Sequence, residues 1–454
     1  MKKIRPFGAL DQLGYTFGEL GNNFLFAFME AFFLTFCTYA LGISPFFMGT
    51  LFLFARLWDA VNDPILGSFP DRWKIGKGTD RFKPYIKLAL PPIFIFAICC
   101  FIDISSWVSV VKHIWISAAY ILYGMSYTAL TMPYGSLSNV ITSDNLERTK
   151  LSRARGLGGL LTAIPMTIAP IFLFNKDTGA VSTTGFFGVA VVFASMTVIC
   201  YFVLLKCTVE RVEIPSSNVK YNFGHVIKTS LKSRPLVGAM VAAFGGMLAI
   251  TGQTGLGSFL YKEYYGNPQI LSIASFLSLP MILILFPIVP VLEKKFGKRK
   301  VIVSVTSFGL ILSAILFLVP IANPYLYLVL NIFATLGNQL LVMFIWAVVN
   351  DCIDYMEYTT SERNTGTVYS IFTFSRKLGS TFAATFSSYA LGWVGYQSAA
   401  AQQLPGVAGN IRYLCTAIPL ISTALIVVGM GVIYNLKKED SEKINQILKQ
   451  AKEA

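Results

Sequence analysis

Apolar residues run along this chain in blocks of helical length, broken by short polar or basic segments. A helix that crosses a bilayer needs about 20 predominantly apolar residues. Twelve blocks meet that length: residues 12–40, 45–70, 85–105, 112–142, 155–175 and 185–208, then 236–262, 268–292, 299–320, 324–353, 365–397 and 411–435. The pattern predicts an all-α membrane protein with twelve transmembrane helices in two six-helix bundles, one at 1–208 and one at 236–435. Residues 209–235 form a polar, basic linker (Arg211, Lys220, Lys228, Lys232, Arg234), and 436–454 form a tail. Basic residues fall after alternate blocks: Arg72, Lys74, Lys77, Arg81, Lys83 and Lys87; Arg148, Lys150, Arg153 and Arg155; Lys294, Lys295, Lys298, Arg299 and Lys300. The opposite loops carry few, so linker, tail and both termini are expected on the cytoplasmic side of the cell membrane.

Composition agrees with that reading. The 454 residues are 54% hydrophobic and 13% charged, with mean hydropathy +0.61, which excludes a soluble domain of this length. The net charge of +14 follows from the loop bias, so lipid and not nucleic acid is the expected partner. Seven cysteines lie scattered without metal-ligand spacing and read as small apolar filler. The two histidines, His113 and His225, fall at loops, and no nucleophile with a base and no phosphate loop is found. No enzyme and no cofactor are expected. Lys2, Lys3 and Arg5 precede a long polar-interrupted helix, unlike a cleavable leader. In the tail, Ile444, Ile447 and Leu448 at helical spacing predict a short surface helix without a role in transport.

The informative positions are the polar ones inside the blocks. Asp59 and Asp63, with Asn62 between them, sit in Arg56-Leu-Trp-Asp-Ala-Val-Asn-Asp-Pro64 of block two. Each charge at bilayer depth costs about 2.5–3.5 kcal/mol, and at a spacing of four the two carboxylates share a helix face and repel. A positive species is therefore required. Either a small cation or a proton visits them, or they pair with a base on another helix such as Lys377. Thr128 in block four offers a hydroxyl if the two helices touch. In block one, Glu19, Asn23 and Glu30 line one stripe that should face water. Glu30 is either an acceptor for sugar hydroxyls or half of a salt bridge inside the first bundle. Gly252 and Gly255 around Gln253 are expected to loosen block seven. Lys377 in block eleven needs a partner or water, and Trp346 and Tyr369 are either stacking platforms for a sugar or ordinary packing. Asp351, Asp354 and Glu357 near Arg363, with basic residues around Arg148 and Arg299, read either as an ion-pair gate between the halves or as a solvated loop.

Taken together, these segments resemble the glycoside-pentoside-hexuronide:cation symporters of the major facilitator superfamily, the group containing the melibiose permease. The matching stretches are Gly18-Glu-Leu-Gly-Asn-Asn23, Arg56-Leu-Trp-Asp-Ala-Val-Asn-Asp-Pro-Ile-Leu-Gly67, Asp80-Arg-Phe-Lys-Pro-Tyr85, Glu147-Arg-Thr-Lys-Leu-Ser-Arg-Ala-Arg155, Asp351-Cys-Ile-Asp-Tyr355 and Lys377-Leu-Gly-Ser380. The resemblance implies the major facilitator fold and uptake of a sugar or glycoside with Na+, Li+ or H+ by alternating access. It places the cation on Asp59, Asn62, Asp63 and Thr128, and the sugar on Asn23, Thr131, Arg155 at the head of block five, Thr373 and Lys377. Asn23 and Thr131 stand where the melibiose permease has acids, and Glu30 is the candidate to supply the missing acceptor. A carrier for an amphiphile of lysolipid type and an uncoupled facilitator are the alternatives.

Overall fold

In the computed structural model, the described residues are 5–453 apart from 74, 77–79, 143, 176–179, 213–231, 361–364, 399, 401–402 and 405. Among them no strand occurs, only an isolated bridge between Phe174 and Val181. Helices dominate because a backbone in hydrocarbon must satisfy its own hydrogen bonds. The chain divides into two compact units: residues 1–218 with 271–275 and 397–402, and the remainder.

Unit one holds α1 (Ala9–Thr35), α2 (Pro45–Arg72), α3 (Lys83–Cys99), α4 (Ser109–Ile141), α5 (Asn145–Leu161), α6 (Ala163–Leu173) and α7 (Thr183–Cys207). α5 and α6 make up the predicted fifth span, interrupted at Thr162. The break has a local cause: Pro165 has no N–H to offer the carbonyl of Leu161. Unit two holds α8 (Arg234–Phe259), α9 (Ile270–Phe296, apart from its residues 271–275), α10 (Lys298–Leu318), α11 (Pro324–Thr360), α12 (Thr365–Trp393) and α13 (Val407–Val427), followed by the tail helix α14 (Lys438–Glu453). Seven helical stretches among the described residues are long and apolar enough on their own to cross a membrane. α2 carries Arg56, Asp59 and Asp63 within its length.

The first helix of each unit is built alike. α1 presents Gly14, Gly18 and Gly21 to α7, so closely that a Cβ on Gly14 would lie 2.9 Å from Cys207 Cβ and one on Gly21 2.9 Å from Cys200 Cβ. Thr197 Oγ1 seals the seam by donating to Gly21 O at 2.9 Å. α8 presents Gly245 and Gly252 to α13 and Gly238 to Gly429 and Tyr434 just beyond it, and Ser422 Oγ donates to Gly245 O at 2.6 Å. Small residues let membrane helices approach until van der Waals contact and such bonds hold them. Gly252 thus serves packing against Ile418, and α8 runs unbroken past it, contrary to the loosening expected there. Both helices end in a π-helical turn, Phe36–Ala40 and Leu260–Tyr264.

The segment after α7 is docked. Glu210, fully buried, accepts from the backbone N–H groups of Arg81, Phe82 and Lys83, capping the start of α3 at 2.8–3.2 Å. Burial raises its pKa, partly offset by those three bonds. Arg211 donates to the buried Asp11 at 3.0 and 3.2 Å, and Arg5 reaches the same carboxylate at 3.0 Å. The first residues of the expected linker are thus fixed to unit one through residue 212, whose N–H donates to Val140 O at 2.9 Å, and 213–231 lie outside the described residues. In the tail, Ile444 is buried in the core of unit two beside Tyr434 and Leu436, and Ile447 is exposed, as a surface helix requires.

Candidate functional site

α2 is two-faced. Leu57, Trp58, Val61 and Ile65 are exposed, the face that suits lipid, whereas Arg56, Asp59 and Asp63 are partly covered and Asn62 is buried. α4 lies along the polar face. A Cβ on Gly124 would come 3.5 Å from Asp59 Oδ1, and one turn later Thr128 Oγ1 donates to Asp63 Oδ1 at 2.9 Å. Because the steps of four on both helices match in order, α2 and α4 run in the same direction here. Gly124 leaves room beside one carboxylate while Thr128 brings an oxygen to the other. Asn62 is 4% exposed, and its amide nitrogen has no hydrogen-bond partner among the described residues. Such a group costs about 1–3 kcal/mol when left unpaired. Carboxylates, an amide and a hydroxyl are hard donors, which suit a small alkali ion or a proton.

The positive group that the sequence reading passed over is Arg56. Its Nη2 donates to Glu30 Oε1 at 2.7 Å, and its Nη1 stands 3.6 Å from Asp59 Oδ2. Glu30 is therefore bonded to Arg56 inside unit one, as the ion-paired alternative has it. The signal was present as spacing: Arg56 precedes Asp59 by three residues, one helical turn.

Farther along α1 the same stripe meets α5. Arg155 Nε donates to Glu19 Oε2 at 2.7 Å, and Asn23 Nδ2 donates to Glu19 Oε1 at 3.2 Å and to Glu19 O at 3.0 Å. Two expected sugar contacts, Asn23 and Arg155, are thus joined by Glu19, which was read only as part of the stripe. Arg155 stands mid-helix in α5 and not at its head, with its guanidinium 5.6 Å from the Tyr134 ring centre. The close approach depends on Gly158, where a Cβ would meet Thr16 O and stand 2.8 Å from Glu19 Cβ. Thr131 is half-buried on α4, three residues beyond Thr128.

In unit two, Thr373 is half-buried and Lys377 exposed on one face of α12. Between them Arg376 lies 5.3 Å from the Trp346 ring centre, which accounts for Trp346 as a cation–π partner. Tyr369's side chain lies outside the described residues. α12 packs on α8 through Ser375, whose hydroxyl donates to Met240 O at 2.9 Å, and through Gly379 against the Phe244 backbone. Of the acids expected to form a gate, Asp351 accepts from Lys298 Nζ at 2.9 and 3.0 Å, and Asp354 and Glu357 follow along α11. Arg299 instead donates to the carbonyls of Met430 and Gly431. Arg148 donates to Thr142 O and Asn139 O at the end of α4, and Arg363 lies outside the described residues. Lys298 had been read as a loop charge only.

With this geometry in hand, comparison with known proteins decides the family. The MFS/sugar transport protein family matches residues 14–438. The chain belongs to this family. It is 30% identical to the uncharacterized symporter YjmB of Bacillus subtilis over 97% of this chain and 95% of that one. It is 27% identical to the glucuronide carrier protein homolog of Escherichia coli over 93% and 91%. Among solved structures, a D-xylose–proton symporter superposes with TM-score 0.62 at 13% identity, covering 94% of this chain and 98% of that one. A bacterial homolog of Spinster, inward-facing and unoccupied, gives 0.66 at 12%, covering 96% of each. These two likenesses are of fold. The protein is a multi-pass membrane transporter of the glycoside-pentoside-hexuronide:cation symporter type with the major facilitator fold, a secondary carrier of sugar-type cargo and not an enzyme.

Proposed function

We propose that this transporter takes up a sugar or glycoside together with a monovalent cation, Na+, Li+ or H+, by alternating access across the cell membrane, with both termini cytoplasmic. Asp59, Asn62, Asp63 and Thr128 hold the cation, and Asn23, Thr131, Arg155, Thr373 and Lys377 contact the sugar. The observation that carries this reading is the bond from Thr128 to Asp63, which adds a hydroxyl of a second helix to a carboxylate couplet otherwise too costly for a membrane interior. Arg155, 48% exposed beside an amide at Asn23, supports a cargo bearing a negative group. The glucuronide carrier homolog among the relatives points the same way.

The test is uptake of radiolabelled glycosides, neutral and glucuronide, into proteoliposomes under imposed Na+, Li+ or H+ gradients. Accumulation driven by at least one gradient, lost in Asp63→Cys, is expected, with glucuronide ahead of its neutral counterpart. Equal flux under every gradient would mark an uncoupled facilitator and sink the cation assignment.

A further inference from the structure

The Arg56 guanidinium is shared unequally. One nitrogen touches Glu30 on α1 at 2.7 Å, at normal charge-assisted distance, while the other stands 3.6 Å from Asp59, beyond a hydrogen bond. All three side chains are largely covered, with 25%, 14% and 26% exposure for Arg56, Glu30 and Asp59. Arg56 and Asp59 lie on the same helix one turn apart, where an arginine and an aspartate ordinarily close on each other. Here a carboxylate from another helix pulls the guanidinium the other way. Gly124 meanwhile leaves space beside the Asp59 carboxylate on its α4 side.

We infer that Glu30 is a positioning residue for cation affinity: it tethers Arg56 so that the guanidinium does not collapse onto Asp59 and take the place of the coupling cation. Resting on the cation site proposed above, this assigns to Glu30 control of how strongly that site competes for an external ion. Without the tether, Arg56 closes the remaining gap and supplies internally the charge that the cation should bring. A larger share of Arg56 on Asp59 weakens cation binding, and a guanidinium held away strengthens it. Glu30 itself contacts neither cation nor sugar in this scheme.

The test uses the full-length protein, purified and reconstituted, with Na+ and Li+ binding measured by calorimetry and H+ binding by proton release on pH jumps. Wild type, Glu30→Gln, Glu30→Gln/Arg56→Gln and Asp63→Cys are compared, each checked for its melting temperature. Glu30→Gln should raise the half-saturating concentration of the coupling cation at least tenfold. The double variant, which removes the competing charge as well, should return it to within about threefold of wild type or below. A double variant as weak as Glu30→Gln alone would overturn the tether and reduce Glu30 to packing. So would Glu30→Gln that binds the cation as wild type does but loses sugar. If wild type binds none of the three cations, or Asp63→Cys binds them unchanged, the cation site itself fails, a result separable from failure of the tether.

Discussion

Removing the Glu19 carboxylate should weaken sugar binding although Glu19 was not expected to touch sugar. Its two oxygens hold Arg155 at 2.7 Å and Asn23 at 3.2 Å, so Glu19→Gln releases the guanidinium and disturbs the amide. A hydrogen bond to a charged group contributes about 1.5–3 kcal/mol when covered, whereas an exposed pair contributes about 0.2–1 kcal/mol. Glu19 is 12% and Arg155 48% exposed, so the pair falls between, near 1 kcal/mol, or about fivefold in affinity. The assay is a double-mutant cycle on the half-saturating sugar concentration in counterflow, with Glu19→Gln, Arg155→Gln and the pair. Each single change should cost about fivefold or more, and the double should be little worse than Arg155→Gln alone. Effects that multiply, leaving an interaction energy under about 0.3 kcal/mol, would show that Glu19 does not act through Arg155.

Thr128→Val keeps the shape and removes the donor to Asp63. Half-saturation by the coupling cation should rise about tenfold and recover in Thr128→Ser; an unchanged titration curve for Thr128→Val would exclude Thr128 from the site. Gly158→Ala drives a methyl against Thr16 O and Glu19 Cβ, which should cost about 1–3 kcal/mol, read as a lower melting temperature together with weaker sugar binding. Equal melting curves would mean that α5 yields freely. Glu210 concerns pH. Its folded pKa is raised by burial, so the folded state binds the proton more readily than the unfolded one, and its contribution to stability is fullest in acid and falls as pH rises through the raised value. Glu210→Gln should flatten the fall in stability that sets in above about pH 4.3, the ordinary glutamate value, measured as melting temperature against pH; parallel curves for variant and wild type would refute it.

Much of this was legible in the sequence because hydropathy length and helical spacing are local properties. The spans, the stripe of Glu19, Asn23 and Glu30, and the shared face of Asp59 and Asp63 follow from periods of four and seven. What spacing does not carry is the partner across the seam. Glycine in a membrane helix serves a bend or a close contact equally, and only the approach of α13 to Gly245, and of Gly429 and Tyr434 beyond it to Gly238, decides for contact in α8. Arg56 reads from sequence as one more motif residue, and Glu30 as one carboxylate among aromatics. Their bond joins positions 26 residues apart on different helices. The sequence does not show what Glu210 and Arg211 bind, because their mates, the N–H groups at 81–83 and Asp11, lie far away along the chain.

The way α1 is held explains why a salt bridge stands at this particular place. On one side α1 meets α7 through Gly14, Gly18 and Gly21, and on another it meets α5 at Gly158, both at separations that exclude even a methyl group. Contacts that tight have little room to slide, since packed surfaces shift between discrete arrangements and do not deform smoothly. Toward α2, by contrast, α1 reaches with long side chains: Phe33 to Phe52, ring centres 6.2 Å apart, and Glu30 to Arg56. α2 in turn rests on α4 through Gly124 and the Thr128–Asp63 bond. α4 is itself held to α1 where Tyr134 Oη donates to Tyr15 O at 3.0 Å, so on the proposed cation site any rearrangement within unit one should appear first between α2 and α1. Glu30–Arg56 crosses that seam, so the bond proposed to tune the cation site also ties α2 to the helix carrying Asn23 and Glu19. On the proposed assignment, a cation that relieves Asp59 would change the pull on Arg56, and through Glu30 that change would reach the α1 stripe of Glu19 and Asn23 without any further contact.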